Sequence, residues 1–209
     1  VSSTQTAHAA TSIVLASASP RRAELLRMLG VSFRVAPQDI PEAVGNGESP
    51  IETARRLAAE KAEAALASEP LAAGEVVLAA DTIVVLDDTI YGKPVDRDQA
   101  REVLNRLSGR RHEVISAVAV GVPAVTPAEP SVLQIAHDCS AVQFSAMSVH
   151  EIEWYLNTGE WRDAAGGYKA QGRGAWFVDA IHGSFYSVMG LPIHSLYSIL
   201  KRVSFRFQR

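Results

Sequence analysis

The stretch VVLAADTIVVL, residues 76–86, constrains this chain more than any other. It is almost wholly apolar, rich in β-branched residues, and followed by an Asp87-Asp88 turn and a short return strand that ends at Gly92, Lys93 and Pro94. Such a run reads as a strand buried in a sheet rather than one with a wet face. A single charge, Asp81, interrupts it. An unpaired ionised carboxylate inside a strand of this kind costs several kcal/mol, so Asp81 has to be ion-paired, hydrogen-bonded, protonated or bound to a metal. The structural alternative is an Asp near a strand end that caps a neighbouring element, through Thr82 for example.

Strand and helix patterns alternate around this run. Ile13 to Ala16 reads as a buried strand and leads into SPRRAELLRMLG, where Ser19 is placed to cap, Pro20 suits the first helical position, Leu25, Leu26 and Leu29 make an apolar stripe, and Gly30 ends the helix. VSFRVA reads as a second strand, followed by a polar loop that contains Glu42. In SPIE, Ser49 and Glu52 form a capping box for a helix running to about Ala67. Ile51, Ala54, Leu57, Ala58, Ala62 and Ala65 share one face of that helix, with Lys61 falling among them. A capped helix over DRDQAREVLNRLSG, two long strands separated by a Pro-rich loop, a second capping-box helix over SVHEIEWYL with Ser148 and Glu151, and a closing helix from Pro192 to Arg202 complete the pattern. From Gly159 onward the chain holds seven of its fourteen glycines, clustered with aromatics, a composition that permits close backbone approach to a ligand. The expected class is α/β or mixed α+β, with residues 12–209 forming one large domain or two lobes that share a sheet, behind a flexible leader at 1–11.

With 209 residues the chain is long enough for a full core. Lys and Arg number 20 against 23 Asp and Glu, for a net charge of -3 and a pI near 6.1, which argues against general binding to nucleic acid or anionic membranes. The apolar, uncharged run Val114 to Ala128 contains Pro123 and Pro127 and is too short to span a bilayer. No Lys or Arg precedes IVLASA and its apolar run is very short, which is unlike a signal peptide. Cys139 is the only cysteine, which excludes an intrachain disulfide and fits a reducing, cytoplasmic setting.

Four features carry chemical information. Arg21 and Arg22 lie at a helix N-terminus, where the dipole disfavours cations by a few tenths of a kcal/mol to about 1 kcal/mol unless an anion sits among them. The alternative is a pair of solvated arginines. Lys61, taken alone, reads as a lysine whose stem packs on the core while its head reaches water, and Lys93 as an ordinary turn lysine. Asp81 is the sharpest of the four. Cations on three separate segments together with one buried carboxylate suit a phosphate-ester substrate and a divalent ion. His112, His137, His150, His182 and His194 lack paired metal-ligand spacing, and there is no G-x-S-x-G, no Walker A sequence and no G-x-G-x-x-G between a strand and a helix.

LASASPRRAELLRMLG, ETARRLAAEKA, AADTIVV, GKP, LSGRRHEV and AGGYKAQGRGAWFVDAIHGSFYSVMGLP occur in that order, and together they resemble the Maf family of nucleoside triphosphate pyrophosphatases over nearly the whole chain after residue 12. The resemblance implies a two-lobed α/β fold similar to that of inosine triphosphate pyrophosphatases, with a long mixed sheet and a central cleft. It implies hydrolysis between the α and β phosphates, giving a nucleoside monophosphate and pyrophosphate. Ser19, Arg21, Arg22, Lys61 and Lys93 would meet the phosphates. Glu42 and Asp81 would hold a divalent metal, Mg²⁺, Mn²⁺ or Co²⁺, or orient water, and Asp81 would accept the water's proton. Gln171, with Asp81-Thr82 and Arg21, resembles the branch acting on dTTP and UTP; an amide offers a pyrimidine edge both a donor and an acceptor, whereas the Glu of the other main branch only accepts. The chain departs from the common pattern with AADT in place of GADT, and with AAG at Ala164 to Gly166 in place of KAG. A homodimer is implied by the resemblance alone. The competing reading is a nucleotide-binding regulator of cell division or septum formation whose hydrolysis is incidental.

Overall fold

In the computed structural model, residues 10–124 and 130–207 are described. The central element is β3, Glu75–Leu86, the strand that its apolar run predicts. β1 (Ser12–Leu15) pairs parallel with β2 (Phe33–Val35) on one side and with the first residues of β3 on the other. β4 (Thr89–Tyr91) folds back antiparallel on the far end of β3 through Asp87 and Asp88, whose φ values of 49° and 59° fit a tight hairpin turn. β5 (Arg111–Val122), β6 (Val132–Phe144) and β7 (Val178–His182) continue the sheet antiparallel, giving the order β2-β1-β3-β5-β6-β7. The sheet is therefore mixed, as the family resemblance implies.

Alternation along β3 sends odd and even residues to opposite faces. Val77, Ala79, Ile83 and Val85 pack under α2 (Pro50–Ser68), whose contact face is Ala54, Ala58, Ala62 and Ala65. These small side chains bring the helix close to the sheet; at Gly121 of β5 a Cβ would stand 2.7 Å from Leu66 of α2. On the opposite face, Val76, Leu78 and Ala80 pack against α1 (Pro20–Met28) and α6 (Ile193–Arg202). Val84 and Leu86, further along that face, belong to a separate core with α3 (Arg97–Leu107) and α4 (Val149–Thr158). Thr82 lies at the seam between the two cores.

Several local expectations are modified. Ser19 holds the N-cap position of α1 in extended backbone, but its side chain makes no capping bond. Gly30 does end the helix, with φ of 67° and the paired bonds Gly30 N–H to Arg27 O and Val31 N–H to Leu26 O. Leu29, expected in the core stripe, is 40% exposed because it is the residue at which the helix stops. Residues 1–9 of the expected leader lie outside the described residues. Ala10 is buried, its carbonyl accepting from Arg206 N–H, and Thr11 N–H donates to Gly74 O. The glycine-rich stretch contains regular elements that apolar periodicity does not reveal: 3₁₀ turns at Ala165–Gly167 and Arg173–Phe177, strand β7, and the short helix α5 (Phe185–Met189). Among the described residues no helix is long and apolar enough to cross a membrane.

Gly166 is one position where glycine is required. Its φ is 66°, a Cβ there would stand 2.7 Å from Val84 Cγ2, and its N–H donates to Gly92 O at 3.0 Å. Gly166→Ala combines left-handed strain with overpacking and is expected to cost roughly 2 to 4 kcal/mol. The check is the urea midpoint of the variant against the parent protein.

Candidate functional site

The site follows from a mismatch of strand lengths. β1 pairs with β3 only over Glu75–Leu78, and β4 pairs with it only from Val84 onward. Between them, residues 79–83 of β3 have a ladder partner on the β5 side alone, so the edge of the strand opens into a cleft. The chain leaving β1 turns away at this point, with Ala16 N–H donating to Leu78 O before α1 begins. The cleft has a volume of about 670 Å³ and is walled by the 16–22 segment, the Glu42 loop, α2, β3 and the 163–171 segment.

Asp81, an odd-numbered residue of β3, points toward α2 and is only 6% exposed. Lys61 of α2 faces it, also 6% exposed, and its Nζ donates to Asp81 Oδ1 and to Glu42 Oε1, each at 2.6 Å. The snorkelling reading of Lys61 thus gives way: its ammonium ends between two carboxylates, because the alanines around it leave the stem close against the sheet. One ammonium touching both acids holds them within two hydrogen-bond lengths of each other. Lys93, just after β4, donates to Glu42 Oε2 at 3.0 Å. Burial acts to raise the pKa of Glu42, but the hydrogen bonds and charges of Lys61 and Lys93 outweigh it and hold the carboxyl below its ordinary range.

The two arginines at the start of α1 take different positions. Arg21 reaches across the cleft mouth, donating from Nη2 to the Asp163 carbonyl at 2.9 Å. Arg22 turns inward. Its Nε donates to Gly190 O at 2.9 Å, Nη1 to Ser17 Oγ at 2.9 Å, and Nη2 to Thr82 Oγ1 at 3.3 Å. Burial lowers the pKa of both guanidiniums; Asp163 and Glu24 oppose the effect at Arg21, and Asp81 opposes it at Arg22. Their unfavourable place on the helix dipole is thus met by protein acceptors, which the sequence alone does not show. Thr82 is also 2.9 Å from Ser116 Oγ, which donates to Ser187 O at 2.7 Å, so Arg22 stands at one end of a buried polar chain.

Ser19, Arg21, Arg22, Glu42, Lys61, Asp81, Thr82, Lys93 and Gln171 all line this one cleft. Gln171 is exposed, on the turn between the two 3₁₀ segments. Ser17, Gly190, Asp163 and Lys169 line it too, and residue type alone does not single them out. Ser17 carried a signal in the LASAS string. Gly190 and Asp163 act through backbone carbonyls, which leave no trace in residue type. Glu42 and Asp81 form a two-carboxylate set suited to a hard dication that takes its remaining oxygens from phosphate and water. Among the described residues no group of three or more His, Cys, Asp or Glu side chains is arranged to cage a metal.

Behind the cleft wall, His112 is 2% exposed and bonded through Nε2 to the Tyr168 hydroxyl at 2.9 Å. Burial pushes its pKa down from 6.5 to about 4. The folded protein therefore binds fewer protons than the unfolded chain between these values, and stability present above pH 6.5 is lost as pH falls toward 4. The loss is expected to reach about 3 kcal/mol. Urea unfolding at pH 7 and pH 4.5 should show it, and His112→Gln should flatten the dependence in that window.

A cleft with a carboxylate pair on its floor and fixed cations at its rim can receive a polyanion accompanied by a cation. Residues 12–203 match the Maf-like protein family, and the chain belongs to that family. It is 43% identical over 193 residues to a dTTP/UTP pyrophosphatase of Symbiobacterium thermophilum, covering 92% of this chain and 94% of that protein. A dTTP/UTP pyrophosphatase of Aquifex aeolicus is also 43% identical, with 92% and 95% covered. Among solved structures, a HAM1 protein from Coxiella burnetii overlaps 92% of this chain and 98% of its own at a TM-score of 0.45 and 17% identity.

Proposed function

We propose that the protein hydrolyses nucleoside triphosphates, with dTTP and UTP as substrates, to the monophosphate and pyrophosphate. The observation that carries the reading is the Glu42, Lys61 and Asp81 constellation on the floor of the cleft, with Arg21 and Lys93 at its rim. The relatives named dTTP/UTP pyrophosphatase supply the bond and the bases, and Gln171 supplies an amide in the same cleft that can both donate to and accept from a pyrimidine edge.

In this reading Asp81 accepts a proton from the attacking water at a carboxylate oxygen. The water oxygen bonds to the α-phosphorus, the bond from that phosphorus to the oxygen bridging to the β-phosphorus breaks, and pyrophosphate leaves. Arg21 and Lys93 bind the β- and γ-phosphates and offset the charge that builds on the leaving group. Lys61, between the two acids, is near enough to join them once the triphosphate enters. Ser19 and the first N–H groups of α1 offer neutral donors. Glu42 and Asp81 would hold Mg²⁺, Mn²⁺ or Co²⁺, which when bound supplies Lewis-acid charge at phosphate oxygens. A cytoplasmic setting and a homodimer belong to the same proposal.

A pyrophosphate-release panel over dTTP, UTP, CTP, GTP and modified pyrimidine nucleotides, each with Mg²⁺, Mn²⁺ or Co²⁺, tests it. Many turnovers with dTTP and UTP and none in chelator are expected. Tight nucleotide binding with less than one turnover would favour the regulator instead, and release of inorganic phosphate would move the broken bond.

A further inference from the structure

Two carboxylates that converge on one point while an ammonium already occupies that point raise the question of what a metal would meet on arrival. Lys61 Nζ sits at 2.6 Å from both Glu42 Oε1 and Asp81 Oδ1, and Lys93 takes the other oxygen of Glu42. Two acids and two ammonium groups make this cluster formally neutral. Of the other charged residues lining the cleft, Arg21, Arg22 and Lys169 outnumber Asp39 and Asp163 by one. A bare dication therefore meets no net attraction here, and to bind it must displace a buried ammonium from its two acceptors. A nucleotide changes both conditions. Its triphosphate brings negative charge to neutralise the incoming ion, supplies the oxygens that two carboxylates leave wanting, and gives Lys61 and Lys93 new anions to pair with.

We propose that Lys61 is a positioning residue that stands in for the dication between Glu42 and Asp81, keeping the two acids converged in the free protein, so that metal enters with the triphosphate and does not reside there beforehand. The proposal rests on the assignment of Glu42 and Asp81 as the metal-holding pair. In the free protein the ammonium prevents the acids from repelling each other apart, and it screens them from cations that arrive without substrate.

The test is Mn²⁺ binding to the chelator-stripped full chain, followed by electron paramagnetic resonance of the free ion. Its arms are the parent protein alone, the parent with α,β-methylene-UTP, and Lys61→Met alone. The parent should bind Mn²⁺ at least about tenfold more tightly with the analogue than without it. Lys61→Met, with the competing ammonium gone, should bind Mn²⁺ alone at least about tenfold more tightly than the parent, and Mn²⁺ should raise its melting temperature by more than it raises that of the parent. Where Lys61→Met does not fold, Lys93→Met replaces it, with a severalfold gain expected from freeing one oxygen of Glu42.

The proposal is overturned if the parent takes up Mn²⁺ equally well with and without the analogue, or if the folded variant binds it no better than the parent. Asp81→Asn separates the two levels. If it abolishes binding with the analogue while the parent binds Mn²⁺ alone at full strength, the metal pair stands and the role of Lys61 falls; if it leaves binding with the analogue unchanged, the pair is misassigned and both fall.

Discussion

Asp81→Asn should lower pyrophosphate release from UTP by roughly a hundredfold or more, in the range that a positioned general base contributes. Asn keeps the shape of the side chain and still accepts a hydrogen bond from Lys61, but it cannot take a proton from water and brings no charge to a cation. The effect on the fold is expected to be far smaller. Lys61 keeps Glu42 as its second acceptor, so its ammonium is not left unpaired, and the stability loss should stay within about 1–3 kcal/mol. Turnover measured beside a urea unfolding curve separates the two effects. Turnover close to that of the parent from a folded variant would remove Asp81 from the chemistry.

Replacing Arg22 should have the opposite balance. Arg22→Met removes three hydrogen bonds from a charged donor; the Ser17 and Thr82 hydroxyls can turn to other partners, but the Gly190 carbonyl cannot. Relief from burying a cation offsets part of this loss, because no carboxylate among the described residues touches the guanidinium. The balance is expected to be a loss of about 2 to 4 kcal/mol in unfolding free energy. The KM for UTP should rise about tenfold or more as the field over the cleft weakens and the 16–22 segment loosens. Arg22→Lys is the informative partner to this variant. It restores the charge without the planar fork that reaches β3, Gly190 just after α5, and Ser17 together, so KM should recover more than stability does. Equal recovery of both would show that Arg22 acts through its charge alone.

The two residues differ in how far their type alone specifies their surroundings. The burial of β3 follows from its unbroken β-branched run, and the presence of Asp81 within it demanded a partner before any partner was known. Capping boxes at Ser49 and Ser148 form as their spacing requires, because each satisfies two backbone donors locally. Lys61 was ambiguous for a physical reason: a wheel projection shows which face a side chain leaves from but not how closely that face approaches its neighbour. Arg21 and Arg22 looked alike, and only the position of the Gly190 and Asp163 carbonyls distinguishes the buried staple from the bridge across the cleft mouth. β7 and α5 are not legible in the sequence because short elements among glycines and aromatics show too few periods for a pattern.

Local chemistry, then, was written in residue order: which segments are strands or helices, where helices begin, and that a charge among apolar neighbours needs compensation. These depend on contacts between residues a few positions apart, and each is repeated often enough along the chain to be read. The cleft belongs to the assembled molecule. It exists because β1 stops short of Asp81 and β4 starts beyond it, and because a helix faced with alanine carries Lys61 to a point shared with Glu42 from a loop without regular structure. Distances between segments that are remote in sequence set those facts, and no periodicity within one segment encodes them.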